Sequence, residues 1–67
     1  MNNNGLTPKE KVVLELLAEG NSFKMVANKT GSCEQTAKNH ARNIRYKLNA
    51  YNSTHSVAIA IRLGLIL

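Results

Sequence analysis

Acidic residues are scarce in this chain: four glutamates and no aspartate stand against nine lysines and arginines, for a net charge of +5. Such a balance points toward a polyanionic partner. Cysteine is nearly absent as well, and a single Cys33 excludes an internal disulfide and fits a reducing compartment. Long apolar runs are missing: Val57 to Leu67 is the longest candidate, broken by Arg62 and Gly64, and a bilayer span needs about 20 residues. The start, MNNNG, lacks the apolar stretch of a secretory signal. These absences argue against a membrane role and for the cytoplasm. Cys33, His40 and His55 show none of the paired spacings of a metal site, so neither metal nor cofactor is expected. Nor is an enzyme: no nucleophile, base and orienting group come together in the sequence, and 67 residues leave little room for a deep pocket. A domain of this size buries only about 60% of the surface its unfolded chain exposes, so its core is thin and oligomerisation would help it.

What is present is helical. Strand alternation, internal repeats and low-complexity stretches are all missing, and the punctuation fits four helices in one all-α unit. Residues 1–5 read as a flexible polar tail and residues 6–67 as the domain. Thr7-Pro8-Lys9-Glu10 is a helix start, with Thr7 as cap, Pro8 where its missing N–H costs nothing, and Glu10 reaching back to close a capping box. The first helix should run to about Glu19 and stop at Gly20, burying Val13, Leu14, Leu17 and Ala18. Asn21 or Ser22 can cap a short second helix through Val26 and Ala27, and Gly31 allows a sharp turn. Ser32 and Gln35 form a second capping box opening a third helix to about Leu48, whose inward stripe is Ala37, Ala41, Ile44 and Leu48. Ser53 or Thr54 can start a fourth helix with Val57, Ala58, Ile61 and Leu65 as its apolar stripe and Gly64 at its end. Val12 and Leu16, with Ile59, Leu63, Ile66 and Leu67, exceed what one small core must hold, and part of that surface should mediate pairing.

Charge is concentrated in one place. Residues 21–47 hold six lysines and arginines against Glu34 alone, whereas residues 1–20 are net −1 and residues 48–67 net +1. Within that segment the third helix presents Gln35, Lys38, Asn39, Arg42 and Tyr46 on the face opposite its apolar stripe. Lysine and arginine can donate to guanine O6 and N7, and asparagine can pair with adenine. Lys38, Asn39 and Arg42 are therefore the candidates for reading bases. Lys24, Gln35, Thr36, His40, Asn43, Arg45, Tyr46 and Lys47 are candidates for phosphates or the groove edge. A short helix, a glycine turn and a capped polar helix form the shape of a helix-turn-helix reader of double-stranded DNA.

The words LTPKEKVVLELLAEG, TAKNHARNIRYKLNA and STHSVAIAIRLGLI, in that order, resemble the LuxR-type (GerE-type) helix-turn-helix domain of bacterial transcription regulators, over Leu6 to Ile66 without gaps. The resemblance implies that the third helix enters the major groove. It also implies that the fourth helix pairs two subunits on a roughly palindromic site, with Val57, Ile61, Leu63 and Leu65 in the interface. By position, base reading falls on Lys38, Asn39 and Arg42, and a backbone-contacting histidine on His40. The ending NSTHSVAIAIRLGLI is most similar to the quorum-sensing branch. Further partners implied are RNA polymerase or a full-length LuxR-type regulator, and pairing with the latter would make the chain a heterodimer inhibitor. Members of the family usually carry a sensor ahead of the reader. Here five residues precede Leu6, so the expectation is either a stand-alone regulator or a fragment, with the initiating Met1 and the asparagine-rich start favouring the former.

The chain departs from the family pattern in its core. Thr30, Ser32, Ala37 and Ala41 stand where bulky aliphatics are usual, and an uncompensated loss on the Leu-to-Ala scale can cost about 2 to 5 kcal/mol. Phe23 either refills some of that volume or lies exposed, and modest monomer stability is expected in both cases. Cys33 replaces a common serine cap, a task expected to pass to Ser32.

Overall fold

Four helices account for most of residues 5–66, the part of the chain that the computed structural model describes; they are α1 (Pro8–Ala18), α2 (Phe23–Thr30), α3 (Glu34–Leu48) and α4 (Ser53–Arg62). Residues 1–4 of the polar tail, and Leu67 among the surplus apolar residues, lie outside it. The α1 start follows the sequence pattern. Thr7 Oγ1 accepts from the Glu10 amide at 3.1 Å, and Glu10 Oε1 accepts from the Thr7 amide at 3.0 Å. At the other end Gly20 takes φ 94°, past the Glu19 cap.

All four helices surround one core of Leu6, Val13, Leu14, Val26, Ala27, Ala37, Ile44, Leu48, Ala60 and Ile66. The expected α3 stripe of Ala37, Ala41, Ile44 and Leu48 is buried throughout. Phe23 is half-buried and packs against this core, beside Leu17 and Val57 rather than beside Ala37 and Ala41. The small residues of the turn are satisfied by one another: the Thr30 hydroxyl donates to the Val26 carbonyl at 2.8 Å and lies 2.9 Å from the Ser32 hydroxyl. A bulky aliphatic at position 30 would leave the Ser32 hydroxyl without this partner.

Several expectations are corrected. Ala18 is exposed, at the last residue of α1, where it lines an open groove with Ser53, Thr54 and Val57. Ser32 does not cap α3; its hydroxyl is held by Thr30, and Cys33 occupies the cap position without a side-chain capping hydrogen bond to a backbone amide of the helix. Ser22, not Asn21, caps α2, accepting from the Met25 amide at 3.2 Å. Asn21 is buried instead, donating to the Leu16 carbonyl and accepting from Lys29 Nζ, both at 2.8 Å. The fourth helix does start at Ser53, and the residue before it, Asn52, is its cap, accepting from the His55 amide at 2.8 Å. The buried side of α4 is Ser56 and Ala60, with Val57 and Ile59 partly buried, so Ile61 points outward. Ser56 tolerates burial because its hydroxyl donates to the Asn52 carbonyl at 3.0 Å. Ile66 is core rather than surplus, whereas Val12, Ile61 and Leu63 are exposed.

Candidate nucleic-acid interface

The turn between α2 and α3 sets the site. Gly31 adopts the left-handed conformation at φ 69°, ψ 30°, which a residue with a Cβ enters only at a cost. The Ser32 amide then closes back on the Ala27 carbonyl at 2.9 Å, and the chain re-enters a helix after three residues. Because α3 is anchored along the Ala37–Ala41–Ile44–Leu48 side, its other side is turned to solvent. The helix ends at Asn49, also left-handed at φ 56°, a conformation that asparagine tolerates better than most residues.

Lys38, Asn39 and Arg42 are all exposed on that outward side, in company with Gln35, Asn43 and Tyr46. Two side-chain pairs order the first turns: Lys38 Nζ lies 3.6 Å from Glu34 Oε2, and Gln35 Nε2 donates to Asn39 Oδ1 at 3.1 Å. Arg42 makes no hydrogen bond or ion pair among the described residues. Further along, the Arg45 guanidinium sits 5.2 Å from the Tyr46 ring centre, within cation–π range. Arg45 Nη1 also reaches toward the Tyr51 carbonyl at 3.5 Å. Tyr51 stacks on His55 at 4.9 Å between ring centres, and the Tyr51 amide donates to His55 Nδ1 at 3.0 Å. Lys24 is exposed on α2, and Thr36 and His40 are half-buried at the flank of α3.

Lys47 stands apart from the other candidates. Its ammonium donates to Glu10 Oε1 at 2.6 Å and to the Gly5 carbonyl at 2.9 Å, tying the last turn of α3 to the first turn of α1. Glu10 is only 4% exposed. Burial raises its carboxyl pKa, but the Lys47 hydrogen bond, the Thr7 amide and the charges of Lys47 and His40 together outweigh this and hold it below the ordinary carboxylate value. The spacing of 37 residues between the two partners left this pair invisible to local sequence patterns. At the opposite end of α3, Cys33 is exposed and its Sγ lies 3.1 Å from Thr36 Oγ1. That hydrogen bond, foremost, holds the thiol below its ordinary pKa.

A short helix, a left-handed glycine turn and a second helix with one packed side and one cationic, amide-rich side make up a helix-turn-helix DNA-binding unit. Residues 4–60 match the family model described as bacterial regulatory proteins, luxR family. The transcriptional activator protein CarR of Pectobacterium carotovorum subsp. carotovorum is 38% identical over 60 residues, covering 90% of this chain and 25% of that protein. The transcriptional regulatory protein DegU of Brevibacillus brevis is 37% identical over 59 residues, covering 88% of this chain and 25% of its own length. The spore germination protein GerE of Bacillus subtilis (strain 168) is 32% identical over 59 residues, 88% of this chain and 80% of that protein. The chain thus spans about a quarter of the length of CarR and DegU but most of GerE. It belongs to the LuxR family of bacterial regulatory proteins and carries that family's helix-turn-helix DNA-binding domain. No helix among the described residues is long and apolar enough to cross a membrane.

Proposed function

We infer that this chain regulates transcription by binding double-stranded DNA in a sequence-specific manner, as a homodimer on a roughly palindromic site. The observation that carries this reading is the one-sided packing of α3, which leaves Lys38, Asn39 and Arg42 together on an exposed face. In this reading those three side chains meet base edges in the major groove. Lys24, Gln35, Thr36, His40, Asn43, Arg45 and Tyr46 hold phosphates or the groove edge. Lys47 serves the same end from within, fixing α3 on α1 through Glu10. Pairing uses α4, where Ile61 is 48% and Leu63 55% exposed and Val57 and Leu65 are partly buried.

Selection of bound duplexes from a randomised pool at about 0.15 M salt, with the protein's mass in solution followed in parallel, tests the reading. A two-fold symmetric motif recovered by a dimer supports it. Binding without a motif, or no binding, overturns it and turns attention to a heterodimer with a full-length LuxR-type regulator, for which the same Ile61 and Leu63 surface would serve.

A further inference from the structure

Glu34 is the last acidic residue in the chain, and it stands in the first turn of the reading helix. A carboxylate there faces the phosphates of any duplex that α3 enters, which repel it. An exposed pair such as Glu34–Lys38, with side chains 51% and 50% exposed, stabilises a helix little, and a first-turn carboxylate gains only a modest further stabilisation from the helix dipole. The geometry of the pair gives a better reason for its presence. Lys38 Nζ, a donor, and Glu34 Oε2, an acceptor, stand side by side at 3.6 Å. In the major groove a G·C pair presents guanine N7 and O6 as acceptors next to the cytosine N4 donor. O6 and N4 lie about 2.9 Å apart through their own hydrogen bond. An acceptor–donor edge of that width meets a donor–acceptor pair of this width. A T·A pair also sets a donor beside an acceptor, but thymine offers the ammonium one acceptor beside a methyl group where guanine offers two.

We propose that Glu34 is a specificity-determining residue that reads one G·C pair jointly with Lys38, the ammonium donating to guanine O6 and N7 and the carboxylate accepting from cytosine N4. The proposal rests on α3 being the reading helix. Away from DNA the same ion pair keeps Lys38 drawn toward the start of α3, so the two groups arrive at the base pair already adjacent. Glu34 also discriminates negatively: opposite a pair that offers no amino group at its position, the carboxylate meets an acceptor or a phosphate and is repelled.

The test uses the full chain and the duplex motif it selects, with each base pair of one half-site replaced in turn by the other three. Wild type should prefer G·C at one position by about tenfold or more. Glu34→Ala should bind non-specific duplex more tightly than wild type, lose most of the preference at that position and keep the preferences elsewhere. Lys38→Ala should lose preference at the same position, and the double variant should lose no more than either alone. Glu34→Gln, whose amide oxygen still accepts, should retain part of the preference. Uniform changes across all sequences in Glu34→Ala, or effects of Glu34 and Lys38 on different base pairs, would overturn the proposal while leaving α3 as the reader. Failure of wild type to select any motif would overturn the reader assignment itself, and this proposal with it. Far-ultraviolet circular dichroism confirms that each variant is folded, which the exposure of both side chains leads one to expect.

Discussion

At the scale of single residues, the cations of α3 divide into those turned to solvent and Lys47, which is tied to Glu10 of α1. Arg42 and Lys38 are exposed, and truncation of a base-reading side chain costs about 1 to 3 kcal/mol. Lys38→Ala and Arg42→Ala should each weaken specific binding by that amount and relax the preference at one base pair, measured by titration against single-site operator variants. Equal losses on every sequence would contradict the base-reading assignment. Lys47 behaves otherwise, because its partner Glu10 is 4% exposed whereas the Lys47 side chain is 34% exposed. Removing the carboxylate lets the ammonium swing to water, so Glu10→Gln should cost about 1 to 2 kcal/mol of stability. Removing the ammonium strands a buried carboxylate, and Lys47→Met should cost more, about 2 to 4 kcal/mol; denaturant unfolding measures both. Glu10 also sets an acid limit. Its folded-state pKa is below the value of 4.5 of the unfolded chain, so the folded state binds its proton less readily. The stabilisation is complete above pH 4.5 and fades as pH falls through the lower folded value. Unfolding followed from pH 7 downward should show this loss in wild type and lack it in Glu10→Gln.

At the scale of elements, the ends of the helices show what can be read locally and what cannot. The α1 start was legible because Thr7, Pro8 and Glu10 signal to one another within three residues, and the α2 stop because only glycine sits easily at the Gly31 angles. The α4 start at Ser53 was legible, whereas the α3 cap falls one residue beyond the expected Ser32, since Ser32 and Cys33 are adjacent and either can occupy the cap position. Tertiary contacts decide between them: Thr30 captures the Ser32 hydroxyl, and burial of Ser56 and Ala60 sets the phase of α4. The candidate site was legible for the same reason as the α3 stripe, a strict helical period in which the buried residues are all apolar. Its internal tie to α1 was not, since a pair 37 residues apart leaves no local pattern. Of the four helix starts, only that of α3 lacks a side-chain capping hydrogen bond to a backbone amide, with Cys33 at the cap. Serine there supplies an acceptor for the free amide of the first turn. Cys33→Ser should stabilise the domain by about 0.5 to 1 kcal/mol, a rise in Tm of several degrees for a chain of this length. By the same argument Asn52→Ala, which deletes the cap of α4, should cost about 1 kcal/mol. Thermal unfolding of the two variants beside wild type checks both signs.

At the scale of the whole molecule, the question is how a unit of 29 × 22 × 19 Å recognises enough DNA to be specific. One recognition helix reaches only a few base pairs, and the genome offers many such sites, so a single half-site discriminates poorly. Two units joined side by side, each about the width of a duplex, can set their reading helices about 34 Å apart, one turn of DNA. The core makes pairing useful for stability too: its fully buried side chains include Leu14, Ile44, Val13 and Val26 but also Ser56, and four alanines lie among the other buried residues. The outward positions of Ile61, in the last turn of α4, and Leu63, its C-terminal cap residue, offer apolar area that the core does not use. Burying a side chain of this size is worth about 1.5 to 3 kcal/mol when complete, and a two-fold interface buries each one twice. Placing a charge in the middle of that surface reverses the sign, because a carboxylate would have to be desolvated against its own symmetry mate. Ile61→Glu and Leu63→Glu should therefore convert a dimer to a monomer in sedimentation equilibrium, with helicity unchanged since neither side chain is part of the core. On DNA the same variants should lose about a hundredfold or more on a two-half-site operator, the equivalent of about 2.7 kcal/mol. Binding to an isolated half-site should be unchanged. Dimeric mass retained in both variants would place the pairing surface elsewhere, and monomeric wild type with full affinity for a single half-site would show that one copy of the reader suffices.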